Sequence, residues 1–150
     1  MIDGDMSIQS HSLNHLFLSD LSEDRLQKEL IESKRILEDK LSLPVRFISL
    51  PGGFYSRGVL KAAQGAGYEG VATSAPGLNV LEKERGKFLL FRRSVITRKT
   101  QMARFQEIVY AHVLSNAKRR GVYQLKSMAQ KILGSRGYYM IWSKCFKYER

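Results

Sequence analysis

The chain has 150 residues, 43% hydrophobic and 26% charged; this suits one soluble globular domain, long enough to bury roughly 68–70% of its unfolded surface without staples. A single cysteine, Cys145, excludes a disulfide scaffold, no run reaches the ~20 apolar residues of a membrane helix, and Met1 to Asp5 does not read as a signal peptide, so the expected location is cytoplasmic. The 25 basic and 14 acidic side chains leave +11, and the excess sits in the second half: residues 1–75 hold 8 basic and 10 acidic groups, residues 76–150 hold 17 and 4. Such a half is drawn toward anionic partners, although charge alone does not say which.

Met6 to Ser10 alternates apolar and polar residues, which predicts a short strand. From Ser22 the period changes. Leu26, Leu30, Leu37 and Leu41, with Ile31 alongside, form an apolar stripe, and Lys28, Glu29, Glu32, Lys34 and Arg35 fill much of the remaining surface. This predicts an amphipathic helix over about 22–42, with Ser22 as N-cap, Glu23 and Asp24 at the positive end of its dipole and Pro44 as its stop. Val45–Ser49 reads as a strand, Leu50–Tyr55 as a loop, and Ser56 as the cap of a second helix carrying Val59, Leu60 and Ala63, closed by Gly67. Tyr68–Thr73 and Phe88–Phe91 complete the strands. Alternating strands and helices imply parallel strands with crossover helices. Beyond about Thr100 the pattern predicts two or three helices punctuated by Gly121 and Gly134, the first striped with Met102, Phe105, Ile108, Val109, Val113 and Leu114, the next with Leu125, Met128, Ile132 and Leu133.

Two places carry candidate chemistry. His11-Ser12-Leu13-Asn14-His15 sets two imidazoles four residues apart directly after a strand. Ser12 stands where the helical zinc-protease motif needs a glutamate, and Ser12 and Asn14 favour a tight loop over a helix. The pair either shares a metal or forms local hydrogen bonds. The second place is Pro51-Gly52-Gly53-Phe54-Tyr55 at the carboxyl end of a strand, where parallel α/β folds bind ligands and loop N–H groups can hold an oxyanion. A plain βα turn is the alternative.

In order, Ile8 to His15, Leu21-Ser22-Glu23 opening a helix with Glu29, Ser33 and Leu37, then Phe47 to Ser56, then Ala66-Gly67-Tyr68, resemble the polysaccharide deacetylase family, the NodB-homology domain of carbohydrate esterase family four, over roughly residues 4–95. The resemblance implies an α/β fold, a partial β/α barrel over residues 1–97 with a basic helical C-terminal extension over 98–150. It implies that His11 and His15 hold a divalent metal, zinc or cobalt, that Ser12 braces their loop, and that Pro51, Gly52, Gly53, Phe54 and Tyr55 shape the substrate groove and offer an N–H to the tetrahedral intermediate. The implied reaction is metal-assisted removal of acetyl groups from a polysaccharide or amino sugar, the cation lowering the pKa of a bound water and stabilising the oxyanion.

Some family features are missing. The aspartate pair that supplies a general base and third metal ligand should lie well upstream of the histidines, and Asp3 and Asp5 are poor substitutes. The arginine that many members carry just before the proline loop is replaced by Ser49 or Leu50. No Leu-x-His segment supplies a general acid, and the only later histidine, His112, falls in a helical pattern. These departures predict the C-terminal portion of a longer deacetylase with little or no activity alone. Two rivals are a catalytically inactive relic that binds carbohydrate or a partner, and a basic domain associated with a membrane or polyanion. For the latter, Lys118-Arg119-Arg120, Lys126, Lys131 and Arg136, with Tyr138, Tyr139, Trp142, Phe146 and Tyr148 interleaved among Lys144, Lys147 and Arg150, suit an anionic membrane or a polyanion, and no specific nucleic-acid motif is present.

Overall fold

The structure is a computed structural model that describes residues 6–79 and 88–145. Asp3, Asp5, Phe146 and Tyr148 therefore lie outside the described residues. The chain divides into two compact units, Met1–Arg93 and Ser94–Arg150.

The first unit is α/β. Three short parallel strands, β1 (Phe47–Ser49), β2 (Gly70–Ala72) and β3 (Leu89–Phe91), lie in that order. Helix α1 (Glu23–Leu41) precedes β1, and α2 (Arg57–Gly65) connects β1 to β2. Ile48, Val71 and Leu90 stand in one register row. Ile48 and Val71 are fully buried against Leu26 and Leu30 of α1 and Val59, Ala62 and Ala63 of α2, each large apolar side chain contributing about 1.5–3 kcal/mol. Leu90, in the outer strand, is 41% exposed, so the core thins toward β3. On the opposite face Phe47 and Phe91 meet edge to face at 5.4 Å.

Several expectations change in detail. The strand expected at Met6–Ser10 is reduced to one parallel bridge, Ser10 with Ile48. The Gln9 side chain replaces the rest of the ladder: its Oε1 accepts from the Arg46 and Phe47 N–H groups at 2.9 and 2.8 Å. Ser22 is the N-cap residue of α1 but its side chain makes no capping bond, and the helix ends at Ser42, in the left-handed conformation with its N–H on the Glu38 carbonyl, before Pro44 is reached. Ile31 is exposed. Glu29, read from sequence as part of the solvated face, is buried. At α2 the Ser56 cap forms as expected, accepting from the Val59 N–H at 3.2 Å.

The second unit contains α3 (Met102–Val109) and α4 (Val113–Cys145). Gly121 does not interrupt α4, since an interior glycine weakens a helix by about 1 kcal/mol without breaking its hydrogen bonds. Gly134, with φ 69° and ψ 162°, does kink it. His112 lies in the turn between α3 and α4, exposed to solvent, and not within a helix.

Candidate functional site

The parallel strands bring their carboxyl ends to one rim of the first unit, and the sequence-predicted site residues lie on it. Ser10, whose N–H and carbonyl both pair with β1, is followed at once by His11. Residues 11–15 form a loop, with Ser12 and His15 at φ 67° and 55°. Both rings are exposed and meet edge to face, with centroids 5.0 Å apart. His11 Nδ1 lies 2.5 Å from the Ser49 carbonyl oxygen. A carbonyl only accepts, so Nδ1 carries the proton and Nε2 keeps its lone pair, the tautomer a metal-binding histidine needs. Ser12 Oγ accepts from the His15 N–H at 3.1 Å, a bond across the loop.

A stronger brace is Glu29. From inside α1 its Oε2 accepts the Leu13 and Asn14 N–H groups at 3.0 and 2.9 Å, and its Oε1 accepts the Asn14 side-chain amide at 2.6 Å. Burial pushes its carboxyl upward in pKa. The bonds from the Asn14 side chain and from the Asn14 and Leu13 backbone, with the Arg25 charge, outweigh that push and hold it below the usual carboxylate range. Behind it, Ser10 Oγ, Ser33 Oγ and the Tyr68 hydroxyl form a buried chain of hydrogen bonds ending on the Leu30 carbonyl, which ties the histidine segment to α1.

The second predicted place adjoins the first. Pro51–Gly53 makes a 3-10 turn directly after β1, with Pro51 and Gly53 buried. A Cβ on Gly52 would lie 2.6 Å from Phe17, two residues past His15, so the two loops touch. Gly53 sits at φ 72°, and a Cβ there would fall 2.4 Å from Ser74 Cβ and 2.5 Å from Ser74 N. Ser74 bonds back through its N–H to the Gly53 carbonyl and through its hydroxyl to the Gly52 carbonyl. The Gly53 N–H is committed to the Leu50 carbonyl at 2.9 Å and Pro51 has none, so neither offers a backbone donor to a ligand.

Arg93 also reaches this rim, from just beyond β3. Its Nη1 donates to Ser49 Oγ at 2.6 Å and its Nη2 to the Leu50 carbonyl at 3.4 Å, and its buried Nε has no partner among the described residues. A guanidinium therefore stands against Ser49 and Leu50, the two residues found where an arginine was expected. The sequence signal was present: Arg92-Arg93 directly follows an apolar run that reads as a strand, the position where parallel α/β sites are built.

The histidines are of the right type for two positions around a divalent cation, His11 in a suitable tautomer, and their loop is fixed before any ligand arrives. Among the described residues no group of three or more His, Cys, Asp or Glu side chains gathers, whereas catalytic zinc sites use three protein ligands.

Residues 1–71 match the family described as polysaccharide deacetylase. YxkH of Bacillus subtilis (strain 168), a candidate polysaccharide deacetylase, is 33% identical over 87 residues, which are 58% of this chain and 30% of that protein. A peptidoglycan-N-acetylglucosamine deacetylase of Bacillus cereus is 34% identical over 67 residues, 45% of this chain and 31% of its own length. The chain thus spans about a third of these curated relatives. Among solved structures, the Bacillus cereus polysaccharide deacetylase BC0361 superposes with a TM-score of 0.62 at 26% identity, over 72% of this chain and 33% of that one. The Streptococcus pyogenes deacetylase PplD, solved with acetate, superposes with a TM-score of 0.59 at 25% identity, over 69% and 44%. With the histidine loop and the glycine loop sharing one rim of a parallel sheet, these likenesses identify residues 1–71, just under half of the chain, as part of a polysaccharide deacetylase domain.

Proposed function

We propose that the first unit is part of a β/α barrel whose rim removes acetyl groups from a polysaccharide or amino sugar, with His11 and His15 holding a divalent cation, zinc or cobalt. The observation that carries this reading is the preset histidine loop: the Ser49 carbonyl fixes the His11 tautomer while the Glu29 carboxylate and Ser12 hydroxyl fix the loop backbone. Such positioning of ligands before binding is what metal sites require. The half-buried Phe47 and Phe91 on the face away from the helices suit the interior of a barrel.

When bound, the metal supplies Lewis-acid polarisation of the acetyl carbonyl and a more acidic water. The chain's own residues do the rest. Pro51–Tyr55 forms one wall of the groove, kept rigid by Ser74, and Arg93 holds its guanidinium against Ser49 and Leu50 at the end of β1, the place occupied in many relatives by an arginine before the proline loop. With two protein donors in place of three, the chain alone binds the cation weakly and turns over little.

Calorimetric titration of zinc or cobalt into the full chain, alongside acetate release from acetylated chitooligosaccharides, tests this. The expected result is one weak site, lost in His11→Ala, with little release of acetate. Zinc binding unchanged by His11→Ala would overturn the assignment of the metal ligands, and robust turnover would overturn the claim of weak activity.

A further inference from the structure

Of the net +11, nearly all belongs to the second unit: residues 94–150 hold 12 basic and 2 acidic side chains, a net of +10. The stretch of α4 before the Gly134 kink, residues 113–133, is about 30 Å long at 1.5 Å per residue. Its faces are inverted relative to a soluble helix. Asn116, Tyr123, Ser127 and Gln130 share one face and are half-buried or buried. Leu114, Leu125, Met128 and Ile132 share the opposite face at helical spacing, with exposures of 86, 70, 60 and 82%. Exposed cations flank that stripe, Lys131 on one side and Lys118 on the other, with stems long enough to lay apolar carbons along the stripe and keep their charges in water.

We propose that this face of α4 lies in the plane of an anionic phospholipid surface, the aliphatic stripe entering the acyl boundary and Lys118 and Lys131 meeting the headgroups. An apolar stripe bordered by cations on a helix of low overall hydrophobicity is the pattern of an interfacial helix, and a net +10 matches the negative potential of such a surface. Charge decides against the main rival, a second copy of the chain, because joining two stripes brings two sets of cations together. Aliphatic side chains decide against nucleic acid, which cations suit but where stacking calls for aromatic rings. This inference does not depend on the metal site, so His11→Ala is expected to leave it unchanged.

Co-sedimentation of the full chain with vesicles of equal parts phosphatidylglycerol and phosphatidylcholine tests it, with pure phosphatidylcholine vesicles in parallel. Binding is expected to the mixed vesicles and to be far weaker on the neutral ones. Replacing Lys118 and Lys131 together by Gln removes roughly fivefold in affinity per cation. Leu125→Asn with Ile132→Asn lowers binding at least about tenfold, with circular dichroism unchanged because both side chains are already exposed. Equal binding to both vesicle types, or binding indifferent to both pairs of substitutions, overturns the proposal. So does a dimer that Leu125→Asn dissolves, or binding to duplex DNA without binding to vesicles.

Discussion

Glu29 and Asn14 lie 15 residues apart in the chain, yet Glu29 holds Asn14 twice, through the side-chain amide at 2.6 Å and the backbone N–H at 2.9 Å. With the Leu13 N–H added, one buried carboxylate satisfies three donors of the loop between the histidines. Glu29→Gln puts an amide NH2 where a donor now meets an acceptor. The expected result is a loss of about 1–3 kcal/mol in folding stability by urea titration, with zinc affinity falling about 10–100-fold although neither ligand is touched.

The same carboxylate sets an acid limit. Its native pKa is lowered, so its contribution is fully present above the ordinary value of 4.5 and is lost as pH falls through the lower native value. Urea midpoints measured from neutral pH downward should therefore be level with respect to this group until about pH 4.5, then decline. In Glu29→Gln that part of the decline should be absent.

Ser12 and His15 separate bracing from binding. His15→Ala removes a donor and should abolish measurable zinc uptake by the isolated chain. Ser12→Ala removes only the hydroxyl that accepts from the His15 N–H, a bond of about 1 kcal/mol, and should weaken zinc binding severalfold in the same titration.

At the glycine loop, Gly53→Ala should be among the most damaging single-methyl additions in the chain. The new Cβ meets both the side chain and the backbone of Ser74, at a φ of 72°, and the left-handed conformation alone costs about 1 kcal/mol or more. Ser74→Ala should not rescue it, because the Ser74 backbone nitrogen and Cβ remain. Thermal denaturation of the single and double variants checks this.

Arg93 should show opposite effects on stability and chemistry. Arg93→Met keeps the apolar stem and removes a buried Nε that has no partner among the described residues, so the melting temperature is expected to hold or rise, by up to about 1 kcal/mol in stability. Any acetate release by the chain should fall, and Arg93→Lys, which keeps charge but not the fork onto Ser49 and Leu50, should restore it only in part.

Periodicity and capping made α1, α2 and the parallel rhythm legible, because Leu26 and Leu30 in α1, and Val59 and Ala63 in α2, repeat at helical spacing and Ile48 and Val71 sit in β-branched runs. The histidine pair and the glycine loop were legible as residue types at a strand's carboxyl end. Glu29 was not: among the charged residues of an amphipathic helix, nothing local distinguishes the one that a distant loop will bury. Arg93 escaped for a related reason, since its partners Ser49 and Leu50 lie more than 40 residues earlier and only strand pairing brings them near. The strand expected before His11 was lost to one side chain, Gln9, taking two N–H groups of the neighbouring segment. His112 was misplaced into a helix because its neighbours keep helical spacing across a turn in which Ala111 adopts φ 56°.

Thr73 grips the last residue of β3 twice, its N–H and its hydroxyl both donating to the Phe91 carbonyl at 2.9 and 3.1 Å. That double clasp fixes where the third strand stops relative to the second. Were β3 to slide by a single residue, everything past Phe91 would travel about 3.3 Å along the sheet and swap sides. The guanidinium two positions on would then point away from the histidines' neighbourhood altogether. A threonine with no chemistry of its own thus acts as the alignment pin between the arginine and the imidazoles.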